Sequence, residues 1–207
     1  MPCAVLLSSM DSAGALCLSA GMIGDRRFAH FVTAAVVLAT VLILLLMGRA
    51  PWCPCGHVDL WGTVGSEEAN MQLLDWYTPS HVLHGILFYA ALWLTARRIG
   101  VGWRLTIATV LECAWEILEN TDAMIRRYRD ATVSVDYIGD SVLNSTSDIV
   151  AMLLGFGLAR LAPVPASVAV VIGLEVLAVL AIRDGLTLNV LMVVWPVESI
   201  RDWQMGG

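Results

Sequence analysis

The chain has 207 residues, of which 58% are hydrophobic and only 14% are charged, and its formal net charge at pH 7 is −6. Soluble proteins carry about a quarter charged residues, so this composition excludes a soluble globular domain. It predicts an all-α integral membrane protein, a helical bundle whose main partner is the lipid bilayer. The sequence has no basic patch of the kind that follows a nucleic acid backbone, so nucleic acid is not an expected partner.

Residues 1–24 are rich in Ala, Ser and Gly and have no early positive charge, which is a poor match to a signal peptide. We expect this segment to be a poorly ordered N-terminal extension. After Arg26 and Arg27 comes the longest apolar run, Phe31 to Met47, which is long enough to cross a bilayer. Residues 28–207 are therefore predicted to form a single transmembrane helical domain.

Four further spans are predicted, over residues 79–96, 103–120, 137–161 and 165–182, which gives about five in total. Thr78 is the expected N-cap of the second span, with Pro79 as its first helical residue. The apolar segment from Leu186 to Trp195 is too short to cross, and Pro196 supports an interfacial or re-entrant segment there.

Arginines in the short connections divide equally between the two sides of the membrane. Those beside the first three spans favour the inner membrane with a cytoplasmic N-terminus. The loop between the first two spans contains Cys53 and Cys55, followed by His57. We interpret it as a tight Pro- and Gly-containing loop whose two thiols can oxidise, and a metal site is a second, less favoured interpretation.

The third predicted span carries three carboxylates on one face. Glu112, Glu116 and Glu119 are spaced i, i+4 and i+7, so they share one side of a helix. An ionised carboxylate in hydrocarbon costs about 2.5–3.5 kcal/mol even on the lenient insertion scale. Three of them on one stripe repel one another unless a cation, shared protons or partner side chains neutralise them. This stripe therefore predicts a functional site.

Alternation of the spans brings more polar residues to the same side of the membrane. The second span begins, the third ends and the fourth begins on that side, and an Arg-rich loop joins the last two. We expect Glu112, Glu116 and Asp148 to be catalytic groups. The candidate metal ligands are His81, His84, Glu116, Glu119 and Asp140. The candidate substrate-binding residues are Arg126, Arg127, Arg129 and Asn144.

This residue set fits a divalent metal, since His nitrogen with carboxylate oxygen suits Zn or Mn, and carboxylate with amide oxygen suits Mg. A metal would activate a water or polarise a phosphoryl oxygen, and the arginines would clamp an anionic lipid head group. The leading hypothesis is hydrolysis or transfer on an envelope lipid or lipid-linked phosphate. The alternatives are a small cation- or proton-coupled transporter and a non-catalytic membrane assembly factor.

Simpler interpretations of single residues also stay open. Asn144 alone is more often a hydrogen-bonding contact between helices. Glu119 and Asp140 are equally consistent with surface positions at span ends, and the three arginines with ion pairs to nearby acids. Glu112 and Glu116 are the hardest to explain without a function, because they lie deepest in the apolar run.

Several motifs occur in order along the chain. They are Pro51-Trp52-Cys53-Pro54-Cys55, Asp75-Trp76-Tyr77-Thr78-Pro79, Ala114-Trp115-Glu116, Asp136-Tyr137-Ile138-Gly139-Asp140 and Trp195-Pro196. In these motifs and their spacing the chain resembles the bacterial membrane proteins called uncharacterised protein family 0314, or domain of unknown function 2585, from about residue 28 to the C-terminus. The resemblance implies a multi-pass plasma-membrane protein and brings no established activity.

One segment departs from the pattern of that family. Asn70-Met71-Gln72-Leu73 stands where the family has Asn-Ser-Gln-His, so this chain lacks the His and a role for the loop in the site is in doubt. A more distant similarity, in the order Glu112, Glu116, Asp140 and Asn144, is to VanZ-like proteins. That similarity implies no particular reaction.

Overall fold

The computed structural model describes the backbone of residues 12–206 and the side chains of residues 25–206. This part of the chain is helical with connecting loops. Its helices are α1 (Ser12–Leu46), α2 (Thr78–Thr95), α3 (Val101–Glu119), α4 (Asp122–Ala131), α5 (Val142–Leu161), α6 (Val164–Ile182), α7 (Leu186–Val194) and α8 (Glu198–Gln204). A short 3-10 helix, Ala69–Met71, lies in the loop before α2.

Each predicted span coincides with one helix, and most ends agree within a few residues. The helix α1 begins at Ser12, inside the predicted extension of residues 1–24. Residues 1–11 lie outside the described residues, so the poorly ordered extension stays a prediction. The helix α5 begins at Val142 rather than at 137 because Ser141 caps it by accepting a hydrogen bond from the Asn144 backbone nitrogen at 3.1 Å.

Three of the described helices are long and apolar enough to cross a membrane: Asp25–Leu46 within α1, Val142–Leu161 and Val164–Ile182. The helices α2 and α3 have similar lengths but are not among them. Their polar residues account for the difference, since α2 carries two histidines and α3 carries three glutamates and Arg104. Composition therefore supports three of the about five predicted spans, and the spans at α2 and α3 stay predictions.

Among the described helices, α2 and α5 have the most extensive contact, and glycine permits their close approach. A Cβ atom added at Gly85 would lie 2.0 Å from the carbonyl oxygen of Met152, and one added at Gly155 would lie 2.0 Å from that of Val82. Small residues are the usual means of bringing two membrane helices together. This contact fixes the distance between the His-bearing helix α2 and the Asp148-bearing helix α5.

The segment with the three arginines is the helix α4, not a loop. Thr121 caps it by accepting a hydrogen bond from the Met124 backbone nitrogen at 3.3 Å. The helix packs on α7, where the Tyr128 hydroxyl donates to Asn189 Oδ1 at 3.2 Å. We call the loop of residues 47–77 together with α4 and α7 the cap, because they lie at the end of the bundle where α2 and α5 begin.

The loop of the cap is fastened to the start of α5. The Val142 backbone nitrogen donates to Ala50 O at 2.9 Å, and Asn144 Nδ2 donates to Gln72 O at 3.0 Å. Within the loop, Cys53 and Cys55 form a disulfide. The thiols are therefore oxidised, and neither sulfur remains a thiolate for a metal.

Candidate metal centre

The centre is built around His81, which lies one turn into α2 and faces Glu112 on α3. His81 Nδ1 lies 2.6 Å from Glu112 Oε1, and His84 Nδ1 lies 3.0 Å from Glu112 Oε2. The two histidines are three residues apart and so share one face of α2. Glu112 is 0% exposed and His81 only 5%. The free-energy cost of burying this carboxylate is offset by its contacts with the two imidazoles.

His81 also lies near two more carboxylates, one beside each of its ring nitrogens. Its Nε2 lies 3.9 Å from Asp148 Oδ2, and its Nδ1 lies 3.4 Å from Glu116 Oε1. The Thr78 hydroxyl donates to Asp148 Oδ1 at 2.9 Å and so orients that carboxylate. Glu116 is 1% exposed, and its Oε1 has no hydrogen-bond partner among the described residues. A buried carboxylate oxygen without a partner is costly and needs an explanation.

Asp140 extends the cluster from the loop before α5. It accepts hydrogen bonds from the Tyr137 hydroxyl at 2.8 Å and from Asn120 Nδ2 at 3.2 Å, both to Oδ2. Burial raises the pKa of Asp140 well above its usual range, and the nearby charge of Glu119 raises it further. The acidic groups at this end of the bundle are thus close enough to repel one another.

Three overlapping sets of side chains have the spacing that a metal ion needs. Within each set the ligand atoms lie within 4.8 Å of one another. The sets are His81, His84 and Glu112; His81, Glu116 and Asp148; and Glu116, Glu119 and Asp140. They contain every residue predicted from the sequence as a catalytic group or a metal ligand. The structure brings these residues together, and their chemical roles stay predictions.

The predicted substrate-binding arginines lie away from these carboxylates. Arg126 is exposed on α4, Arg127 Nε donates to Val193 O at 2.8 Å, and Arg129 Nε donates to Tyr137 O at 2.5 Å. Among the described side chains no arginine nitrogen lies within 4.0 Å of a carboxylate oxygen. Two of the arginines therefore brace the cap through backbone carbonyls. Asn144, through Gln72 O, braces it as well.

Sequence reasoning did not single out Asp75, which is 2% exposed. Its Oδ1 accepts from the backbone nitrogens of Tyr77 at 2.7 Å and Thr78 at 3.0 Å, and its Oδ2 accepts from Asn70 Nδ2 at 2.9 Å. Burial raises the pKa of Asp75, although these backbone donors oppose the shift. An Asp two or three residues before a helix was the available signal. The prediction of Thr78 as the N-cap of α2 is wrong by one position: Tyr77 is the N-cap, and Thr78 is the first helical residue. The Thr78 hydroxyl instead accepts from the Asp75 backbone nitrogen at 3.0 Å and donates to Asp148.

Three cavities lie in series between the surface of the cap and the centre. The outer one has a volume of about 230 Å³ and is lined by Asn70, Tyr77 and Tyr137, among others. The middle one, of about 10 Å³, shares those three residues and reaches Glu119. The inner one, of about 20 Å³, is lined by Tyr77, His81, His84 and Glu119. One water needs roughly 10–15 Å³, so the inner cavity has room for about one water beside the histidines.

The chain is similar to proteins of one bacterial family. A family model described as a protein of unknown function (DUF2585) matches residues 44–206. A UPF0314 protein of Paracoccus denitrificans is 58% identical over 184 residues, which is 88% of this chain and 95% of the relative. UPF0314 proteins of Rhizobium etli and Novosphingobium aromaticivorans are 50% and 52% identical, over 87% and 83% of this chain and 93% and 90% of their own lengths.

No solved structure matches the chain. The family model covers most of the sequence, and each of these relatives matches nearly end to end. The chain therefore belongs to the UPF0314 family, whose function is unknown.

Proposed function

We propose that this protein crosses the bacterial inner membrane with α1, α2, α3, α5 and α6, and that the cap faces the periplasm. The arginines divide equally between the two ends, but those beside the first three spans favour the end opposite the cap as the cytoplasmic one: Arg26, Arg27, Arg97, Arg98 and Arg104. The Cys53–Cys55 disulfide in the cap fits an oxidising compartment such as the periplasm. Two independent features therefore support a cytoplasmic N-terminus.

Within this arrangement, we assign a divalent cation to the set His81, Glu116 and Asp148. One observation carries the assignment: Glu116 Oε1 is buried, lacks a hydrogen-bond partner and lies among two further candidate ligands. A cation there would satisfy this oxygen and relieve the repulsion between the two carboxylates.

The remaining residues of the centre would orient these ligands. Metal-bound histidines commonly donate their second ring nitrogen to a carboxylate, which fixes the ring. Glu112 is placed to accept from His81 Nδ1, which leaves His81 Nε2 directed towards Asp148. His84 holds the second oxygen of Glu112. Glu112 is thus the positioning carboxylate for His81.

The activity that this centre supports best is metal-assisted hydrolysis or group transfer on an envelope lipid or lipid-linked phosphate. Catalytic metal sites keep an open position for water, and the inner cavity beside His81 has room for about one. A bound metal would lower the pKa of that water and supply a nucleophile at neutral pH. Since arginines do not line the three cavities, the anionic part of the substrate would bind to the metal itself.

The test is metal content, measured by elemental mass spectrometry on detergent-purified protein. Wild type should carry a tightly bound divalent metal, and Glu116→Gln and His81→Ala should lose it. Glu175→Gln is the matched control, because Glu175 lies on α6 and its Oε1 accepts from the Thr187 backbone nitrogen, outside the centre. Folded wild type without metal, or equal loss in the Glu175 variant, contradicts the proposal. Lipid extracts of a deletion strain complemented with wild type or Glu116→Gln then test the hydrolytic activity.

A second candidate is transport of a cation or protons through the same centre. It is favoured by the three cavities between the surface of the cap and His81, since their linings include the acid Glu119, the amide Asn70 and the Tyr77 hydroxyl beside apolar residues. In liposomes, wild type should then carry cation or proton flux that Glu116→Gln abolishes. A metal that stays bound without flux favours the hydrolytic function.

A further inference from the structure

A second cavity lies at the other end of the bundle, between α1, α3 and α5, and has a volume of about 160 Å³. Its polar lining is basic: Arg26 and His30 from α1 and Arg160 from the last turn of α5. The rest of the lining is Val101, Gly102, Leu105, Leu153, Phe156 and Gly157. It shares no residue with the candidate metal centre, so the two sites are separate.

The basic groups of this cavity have no acidic partner among the described residues. No carboxylate oxygen there lies within 4.0 Å of a nitrogen of Arg26 or Arg160. The acid next in sequence, Asp25, accepts a hydrogen bond from Trp103 Nε1 at 2.8 Å. Arg26 and His30 are four residues apart and so lie on one face of α1. The charges of Arg26 and Arg160 and the His30 imidazole converge on this cavity, which creates a positive potential that attracts an anion.

The shape of the cavity limits the size of that anion. A Cβ atom added at Gly102 would lie 3.2 Å from Ala29 Cβ, so α1 and α3 are in close contact beside the cavity. Pockets for whole drug-sized ligands measure roughly 300–1,000 Å³, which is larger than this one. The volume suits a single phosphate group, and Leu105, Leu153 and Phe156 supply an apolar wall beside it.

We propose that this cavity binds a phosphate-bearing anion through Arg26, His30 and Arg160. Two sources supply such a group: the head group of an anionic lipid, and free phosphate. Basic pockets between membrane helices at the cytoplasmic side are known lipid head-group sites, and the apolar wall continues along α1 and α5, both long and apolar enough to span. The proposal does not depend on a metal at the opposite end.

The experiment measures the thermal midpoint of the detergent-purified full chain with three added ligands. Short-chain phosphatidylglycerol is the anionic lipid, short-chain phosphatidylcholine is the lipid without net charge, and inorganic phosphate is the soluble anion. Phosphatidylglycerol should raise the midpoint, and phosphatidylcholine should not. Arg26→Gln and Arg160→Gln should each weaken this binding about tenfold or more, since a hydrogen bond to a charged group is lost. Arg98→Gln, exposed at the same end and outside the cavity, should bind as wild type does.

A filling variant separates the cavity from surface charge. Gly157 lines the cavity, and a Cβ atom added there meets nothing within 4 Å, so Gly157→Leu should fold and occupy the space without removing a charge. It should abolish binding. If that variant does not fold, the arginine variants decide the question. Stabilisation by inorganic phosphate alone would keep the site and reject the lipid source. No shift with either anion, or equal weakening in Arg98→Gln, would overturn the proposal.

Discussion

His81 Nδ1 on α2 lies 2.6 Å from Glu112 Oε1 on α3, and both residues are buried. This contact joins two helices that are each too polar to qualify as spans by composition alone. It also directs the other ring nitrogen, His81 Nε2, towards Asp148 on α5 at 3.9 Å. One imidazole thus connects three helices, which makes its orientation the central geometric requirement of the proposed centre.

The Thr78 hydroxyl should be needed for metal affinity although it is not a ligand. It donates to Asp148 Oδ1 at 2.9 Å, and partners that orient metal ligands typically contribute 10–100-fold to affinity. We therefore expect Thr78→Val to weaken the binding of a divalent metal about tenfold or more, measured by competition with a chelating dye. Thr95→Val is the control, since Thr95 Oγ1 donates only to Ala91 O at the far end of α2. Unchanged affinity in Thr78→Val would remove Asp148 from the centre.

The contact between α2 and α5 should not tolerate a methyl group. Gly155→Ala would place a Cβ atom 2.0 Å from the Val82 carbonyl oxygen, a clash with backbone that no side-chain rotation relieves. Overpacking costs about 1–3 kcal/mol, occasionally more, so the free energy of unfolding in detergent should fall by at least that amount. Gly173→Ala on α6, where an added Cβ meets nothing within 4 Å, should be as stable as wild type or more so. Equal stability of the two variants would contradict the close approach of α2 and α5.

The composition of the centre could be predicted because it follows from two periodicities. Alternation of spans puts the first turns of α2 and α5 beside the last turns of α3, and the spacing of Glu112, Glu116 and Glu119 puts them on one helix face. Both periodicities apply whatever conformation the connecting loops adopt. They are the reason why residues on three helices could be grouped from the sequence, and the structure brings the same residues together.

The cap could not be predicted in the same way, because its contacts join residues with no periodic relation. The Tyr77 hydroxyl donates to Asp184 Oδ2 at 3.0 Å across 107 positions of sequence. Arg127 Nε donates a hydrogen bond to the Val193 carbonyl oxygen and not to an acidic side chain. The helix α4 has a local signal, the cap residue Thr121, but its arginines make it too polar to be predicted as a span, so the sequence predicts a loop there.

The Cys53–Cys55 disulfide gives a test of orientation. With Cys3, Cys17 and Cys113 replaced by Ser, a thiol-reactive, membrane-impermeant maleimide should label intact spheroplasts only after reduction, since both remaining sulfurs are bonded. Cys53→Ser in the same background frees Cys55 and should allow labelling without reductant. Labelling that requires a permeabilised membrane would place the cap in the cytoplasm and contradict the proposed orientation.

Asp184, between α6 and α7, should make stability fall as the pH rises. Burial raises the pKa of Asp184, although hydrogen bonds from the Gly185 backbone nitrogen and the Tyr77 hydroxyl oppose the shift. An acid with a raised pKa in the folded state binds its proton more tightly there than in the unfolded chain. Its stabilising contribution to the free energy of unfolding is therefore fully present below the pKa of the unfolded chain, about 3.9. This contribution is lost as the pH rises through the pKa of the folded state.

Asp184→Asn removes this titration while keeping a neutral group of similar shape. The thermal midpoint of the Asn variant relative to wild type should rise as the pH is raised from about 4, measured in detergent over a pH series. Asp202→Asn, an exposed position on α8, shows whether loss of any acid from this end changes the profile. A constant difference between wild type and Asp184→Asn across the series would show that Asp184 keeps the same protonation state in the folded and unfolded chains.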